Sequence, residues 1–365
     1  MDGISDQSLP AWDGGFAQSY FGRLFSATWV SAGHVRLARY VAQWDLMGEH
    51  SAGADPHGDY RERLEAWLAD VRGLGLVPEL ALTSYNGIYP HDTHEYETSL
   101  RPILNRARAI GSPVSYVEAW NEPNSQGNET AEKAAELTNS ASRLCEEDRG
   151  CRVVAGNLED SPNVAAYERE YERALDPLPT IWGIHPYRSV AQESEAPILE
   201  FMENLPNGGA GDQIWFTEVA ARVCTDYGGQ LREIGEAGQA QQARWLVDTL
   251  MPDERPEHVF YYVFLLGDHK QPSCAEEPED DALYEPSGEA GAPDVPRAAA
   301  SYIWGGEPDA LTGGCSEPLA FERPVGGRAQ AIAWSPPGGS SELSLTVLPD
   351  GCRALTHSLS ATFIP

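Results

Sequence analysis

The sequence predicts an α/β protein of the (β/α)8 barrel class, and three observations carry that prediction. Short β-rich runs alternate with helical stretches along most of the 365 residues. Such alternation calls for parallel strands, because parallel neighbours can only be joined by a crossover, usually a helix. The strand-like runs amount to eight units, the number that closes a barrel. No GxGxxG follows any of them, which removes the main argument for an open dinucleotide-binding sheet.

In order, the candidate strands are Gly3–Asp6, Val35–Trp44, Leu76–Tyr85, Val114–Asn121, Arg152–Asn157, Ile181–Tyr187, Ile214–Glu218 and Val259–Leu266. The first is short and is followed by about thirty irregular residues. Helical stretches between them include Asp59–Leu74, Thr130–Glu146, Val164–Leu175 and Ala237–Leu250. In the first of these, Leu64, Trp67, Leu68 and Val71 recur at 3.6-residue spacing, so one face should lie on a sheet. Gly73 and Gly75 then end that helix and introduce the next strand.

A barrel is therefore expected over residues 1–275. From 276 to 311 the chain turns to Pro, Gly, Glu and Asp, which reads as an acidic loop and linker. Residues 312–365 contain alternating runs at Leu319–Arg323, Ala329–Trp334, Glu342–Val347 and Leu355–Phe363. They read as a small β appendage, some of whose edges are expected to pair with the barrel.

The hydrophobic fraction of 41% is ordinary, so a sizeable core is available and disorder is not expected. The formal net charge of −31 disfavours nucleic acid and anionic membrane as partners. No apolar run reaches the ~18 residues of a membrane span. The start, Met1-Asp2-Gly3-Ile4, lacks the basic and apolar regions of a signal peptide. Six cysteines nevertheless fall into regional pairs: Cys145 with Cys151 around the loop EEDRG, Cys224 with Cys274, and Cys315 with Cys352. An even, paired set favours an oxidising compartment, hence a secreted or cell-surface protein in mature form. Six buried free thiols are the alternative. A monomer is expected.

Two glutamates carry the chemistry. Alternation along Ser115–Asn124 puts Tyr116, Glu118, Trp120 and Glu122 on one face, with Pro123 stopping the strand after Glu122. In Ile214–Val219 the same reasoning puts Ile214, Phe216 and Glu218 inward. If both rows face the barrel interior, Glu122 and Glu218 meet at the C-terminal rim, where barrel active sites form. Two facing carboxyls are the minimum apparatus for glycoside cleavage, one as acid and one as nucleophile or base. His91 and His94 in HDTH lack a third ligand at helical spacing and read as a solvated loop, so no metal or other cofactor is expected.

The string WNEPN at Trp120–Asn124, with WFTE ending on Glu218, resembles glycoside hydrolase clan A. The resemblance spans about Gly3 to Gly267 and implies (β/α)8 enzymes with catalytic glutamates on strands four and seven. It implies an active-site Arg39 and, five residues on, an aromatic Trp44, both expected at the substrate, and a sixth strand, GIHPY, whose His185 and Tyr187 reach the nucleophile and substrate. More narrowly, GISDQ, the RYVxxWD run and the Cys145/Cys151 pair look like actinobacterial members of the clan. Glu122 would then be acid/base and Glu218 nucleophile of a retaining hydrolase acting on a β-linked or arabinosyl-type glycoside. Asn121 would hold the sugar 2-hydroxyl and Arg39 would keep Glu218 ionised. Tyr85, Asn86 and Tyr89 are expected to contact sugar, and Asn157, Glu159 and Asp160 to line the cleft.

The sequence also departs from the clan pattern. Strand eight reads FYYVFLLGD, without the usual Trp, so Tyr262 or Phe264 must serve as the sugar platform. VAAR follows Glu218 where a Gly is more familiar. Glu118 is expected to pair with an arginine, since an unpaired buried carboxylate is costly. Transglycosylation at the same site, or a non-catalytic carbohydrate-binding barrel, remain as alternatives.

Overall fold

The alternating strands do close on themselves. The computed structural model describes residues 3–5, 36–47, 59–85, 87–125, 129–148, 150–209, 211–226, 231–262, 283–285, 295–304, 320–325, 328–333, 344–347 and 353–356. Eight strands form a closed, wholly parallel barrel in sequential order. They are β1 (Gly3–Ser5), β2 (Leu37–Gln43), β3 (Val77–Thr83), β4 (Tyr116–Glu118), β5 (Arg152–Glu159), β6 (Ile181–His185), β7 (Gln213–Val219) and β8 (His258–Tyr261). The short first strand completes the ring, pairing with both β2 and β8.

Helices α1 (Asp59–Leu74), α2 (Thr93–Ile110), α3 (Ala131–Asp148), α4 (Val164–Ala174), α5 (Tyr187–Gln192), α6 (Ala196–Met202) and α7 (Gly235–Trp245) follow the strands. In α1, Leu64, Trp67, Leu68 and Val71 are all buried, as their spacing requires. Asp92 caps α2 by accepting a hydrogen bond from the Glu95 amide, and Gly111 ends it in the left-handed conformation.

The stretch expected to be a linker contains a further helix, α8 (Ala298–Trp304), packed on α7. Its alanine-rich start, Ala298–Ala300, favours helix within Pro- and Gly-rich surroundings. Beyond it lie two antiparallel hairpins, Ala320–Val325 with Arg328–Ala333 and Ser344–Val347 with Arg353–Thr356. Among the described residues neither hairpin adds a strand to the barrel, contrary to expectation. Cys145 and Cys151 form a disulfide, and Cys224 is disulfide-bonded as well. Cys274, Cys315, Cys352, Asn86 and Phe264 lie outside the described residues.

Which face of each strand points inward follows from one cluster. Leu37, Val154, Ile181, Trp215 and Phe260 are buried together, with Val77 and Tyr116 against them. These seven come from seven different strands, so they fill the barrel interior. Ile214 and Phe216 belong instead to the larger core shared with the helices. The inward row of β7 therefore runs Trp215, Thr217, and alternation alone would turn Glu218 outward, the reverse of the expectation. An extra residue corrects this: Phe216 pairs with Val259 but Val219 with Tyr261, a three-residue advance against two. This β-bulge aims Glu218 into the barrel.

A second bulge lies in β5, where Gly156 pairs with Gly183 but Leu158 with Ile184. The inserted residue is Asn157, at φ 51. β4 is likewise shorter than expected and stops at Glu118, four residues before Glu122. Glu122 is reached through bends and itself adopts φ 47. The amide of Asn121 donates to the Leu82 carbonyl and that of Glu122 to the Asn157 carbonyl, which hold the segment at the rim.

Candidate active site

The site is built around a buried guanidinium. Arg39 is fully buried two residues beyond Leu37 on the inward face of β2. Its Nε and Nη2 donate to both oxygens of Glu118 at 2.6 Å. Nη2 also donates to Asn121 Oδ1 at 2.6 Å, and Nη1 donates to Ser5 Oγ at 3.0 Å and to Glu218 Oε1. Arg39 is thus the partner that Glu118 requires. A buried charge pair with so many hydrogen bonds is what the low-dielectric barrel interior tolerates.

Glu218 is 5% exposed. Its second oxygen accepts from the Tyr187 hydroxyl at 2.8 Å. Burial acts to raise its pKa, but Arg39, His185 and the Tyr187 hydroxyl outweigh burial and hold the carboxyl below its ordinary value. Tyr187 is set not by β6 but by the first turn of α5, and the Arg222 guanidinium lies over its ring at 4.3 Å.

His185 ends β6 with no exposed surface, and its Nδ1 lies 2.8 Å from Glu122 Oε1. Burial opposes its protonation, yet the charge of Glu218 and the bond to Glu122 prevail and raise its pKa. The Glu122 side chain is 25% exposed, against 7% for Glu218, so the two carboxyls differ in solvation. One oxygen of Glu122, one nitrogen of His185 and one oxygen of Glu218 lie within 4.8 Å of one another. These are metal-ligand types, but Arg39 and Tyr187 already bind both oxygens of Glu218, and the guanidinium would face any cation held there.

Above these groups opens a cavity of about 590 Å³, lined by Glu122 and Glu218 together with Val41, Thr83, Tyr85, Asn121, Tyr187 and Tyr262. Tyr262, one of the two aromatics expected at the end of strand eight, is among the lining residues. Tyr85 is tied down by donating from its hydroxyl to the Val41 carbonyl. Tyr89 packs on Trp120, with ring centroids 5.6 Å apart, and is not among the lining residues.

Trp44 was expected at the substrate and is not there. It is fully buried and donates its indole N–H to the Ile88 carbonyl at 2.7 Å. Its rank after Arg39 places it past the end of β2, where it braces the loop following β3. Asp160 also turns away from the cleft. It accepts from the amides of Arg188 and Ser189 and from the Ser189 hydroxyl, capping α5. Burial pushes its carboxyl up to about 6. Asn157 is buried and is not among the residues lining the cavity.

Two further charged groups stand on the cavity wall, Glu159 as expected and Arg222 without a role assigned from the sequence. Glu159, at the end of β5, stands beside Glu122, and burial followed by that neighbouring charge raises its pKa. Arg222, in the VAAR segment, lines the cavity as well. Their signal in the sequence is only their place, Glu159 as the last residue of strand five and Arg222 shortly after strand seven. The last residue of WNEPN proves to be a clip: the Asn124 side chain accepts from the Glu159 amide and donates to the Glu159 carbonyl, joining the rims of β4 and β5.

No protein-family pattern matches the chain, and no curated protein is similar to it in sequence. Solved structures share its fold. The endo-β1,6-glucanase BT3312 superposes with a TM-score of 0.58 at 11% identity, covering 96% of this chain and 81% of that one. AbfB, a family 51 α-L-arabinofuranosidase from Bifidobacterium longum, gives 0.56 at 10% identity, covering 83% and 71%. GH5_18 from Streptomyces cattleya, in complex with GlcNAc, gives 0.55 at 12% identity, covering 83% and 78%. The chain therefore has the (β/α)8 fold of clan A glycoside hydrolases, at identities where likeness speaks for fold alone.

Proposed function

We propose that this protein is a retaining glycoside hydrolase in which Glu218 is the nucleophile and Glu122 the general acid and base. The observation that carries the reading is two carboxyls in one cavity, with oxygens within 4.8 Å and unlike surroundings. Retaining enzymes hold their carboxyls about 5 Å apart, whereas inverting ones leave roughly 6.5–9.5 Å for a water. Glu218, held ionised by Arg39 and Tyr187, attacks the anomeric carbon while Glu122 gives its proton to the departing oxygen. Glu122 then takes a proton from a water whose oxygen bonds to the anomeric carbon as the bond to Glu218 breaks, which releases the sugar and restores both groups. Asn121, its carbonyl oxygen bound to Arg39, is left with its amide N–H groups for the sugar 2-hydroxyl.

The polar cavity supports a carbohydrate substrate, and the disulfides support an oxidising, extracellular setting. The clan-A fold supports hydrolysis as the reaction class. The test is a screen against aryl glycosides and polysaccharides, followed by variants. Glu122→Gln is expected to lose polysaccharide cleavage while still being glycosylated by activated aryl glycosides. Glu218→Gln is expected to lose both. Full polysaccharide activity in Glu122→Gln would overturn the assignment, and inversion of the first-formed product, seen by proton NMR, would overturn the retaining mechanism.

A further inference from the structure

Neither carboxyl is aimed by a regular strand, and the two irregularities that aim them are joined. The β7 bulge spans Thr217 and Glu218, and the β5 bulge is Asn157. Between them, the Thr217 hydroxyl donates to Asn157 Oδ1 at 3.2 Å, with both residues buried. Asn157 is held in turn by its own Nδ2, which donates to the Val154 carbonyl at 2.9 Å. Its backbone carbonyl takes the Glu122 amide at 3.1 Å. One residue therefore connects the two, Asn157 holding Thr217, beside Glu218, with its side chain and the Glu122 amide with its backbone carbonyl.

β6 lies between these strands and makes room for the connection. A Cβ on Gly183 would stand 1.9 Å from Asn157 Oδ1 and 2.9 Å from Thr217 Oγ1. Any other residue there would drive the pair apart. Asn157 also bears a left-handed backbone, a strained conformation that persists only where the surrounding structure enforces it. Asparagine is among the side chains that tolerate this conformation best.

We propose that Asn157 and Thr217 are a positioning pair that sets the spacing between Glu122 and Glu218 by locking the two bulges to each other. Neither touches the reacting atoms, and both act through the backbone that carries the carboxyls. The proposal rests on the reading of Glu122 and Glu218 as the catalytic pair only for its effect on rate. The geometric part stands by itself.

The test uses Thr217→Val, which replaces the hydroxyl with a methyl of similar size, and Thr217→Ser, which keeps it. His185 is the reporter, since it lies against Glu122 and Glu218 and is faced by Arg39 and Tyr187. Its ring is followed through a pH titration by 15N NMR, with His185→Gln for assignment. In the wild type it should titrate above an ordinary histidine. In Thr217→Val its midpoint should fall as the carboxyls move off, and in Thr217→Ser it should return towards the wild-type value. On any glycoside the wild type cleaves, Thr217→Val should lower kcat about tenfold to a hundredfold with little change in KM, the scale expected for misplacement by ~1 Å. A Thr217→Val protein whose melting temperature drops while the His185 titration is unmoved would overturn the proposal. If no glycoside is cleaved, the catalytic reading fails, while the NMR arm still decides the positioning pair.

Discussion

Glu218 and Glu122 are the same residue type made unlike by their neighbours. Glu218, almost wholly buried, meets Arg39 and Tyr187, whereas the more exposed Glu122 meets His185. Removing one donor should therefore change the nucleophile in a known direction. The Tyr187 hydroxyl stabilises the ionised carboxyl, so Tyr187→Phe makes protonation of Glu218 easier. The acidic limb of the activity profile should then move up by about one pH unit, the worth of one hydrogen bond to a charged group. An unmoved acidic limb would separate Tyr187 from the ionisation of Glu218. Arg39, Asn121, Glu122, His185, Tyr187 and Glu218 were read from the sequence as candidate site residues, and the structure brings them together: all but Arg39 stand at or just past a strand end, whereas Arg39 lies within β2. Trp44 misled because counting from Arg39 gives distance along the chain but not the turn that buries its indole.

At the scale of elements, strands and helices were legible but the faces of the strands were not. Both faces of a parallel barrel strand are apolar, one packing in the interior and the other under helices, so no polar alternation marks the inward row. In β7 the expected row Ile214, Phe216, Glu218 was wrong for the first two residues, and Glu218 faces inward only through the bulge. In β5 the pair Gly156-Asn157 was a usable sign, since a glycine inside a strand often marks a bulge. Helix α4 holds a different kind of exception. Glu168 is fully buried, its carboxyl oxygens have no hydrogen-bond partner among the described residues, and burial pushes it up to about 9. Its folded pKa lies above the unfolded value of 4.5, so the protonated form is favoured on folding. Stability from this group is full below about 4.5 and is lost as pH rises towards about 9. Denaturant unfolding of Glu168→Gln should show a flatter decline over that range, with its advantage over wild type larger at pH 8.5 than at pH 5.5. A constant difference would mean that Glu168 does not titrate in that window.

Over the whole molecule the dominant quantity is charge. With 56 acidic against 25 basic side chains, the folded surface repels itself. Adding salt shortens the screening length from ~30 Å at ~0.01 M to ~3 Å at ~1 M. The melting temperature is expected to rise over that interval, and a flat or falling curve would show that local ion pairs outweigh the net charge. The sequence by itself determined the barrel, because eight strand-and-helix units leave few other closures. It also determined the carboxyl pair, because strand ends meet at one rim. Only the tertiary structure decided how those carboxyls are aimed. A bulge adds one residue against a neighbouring strand, and its site depends on contacts such as Asn157 with Thr217 over Gly183, residues 26 to 60 positions apart that no local pattern relates.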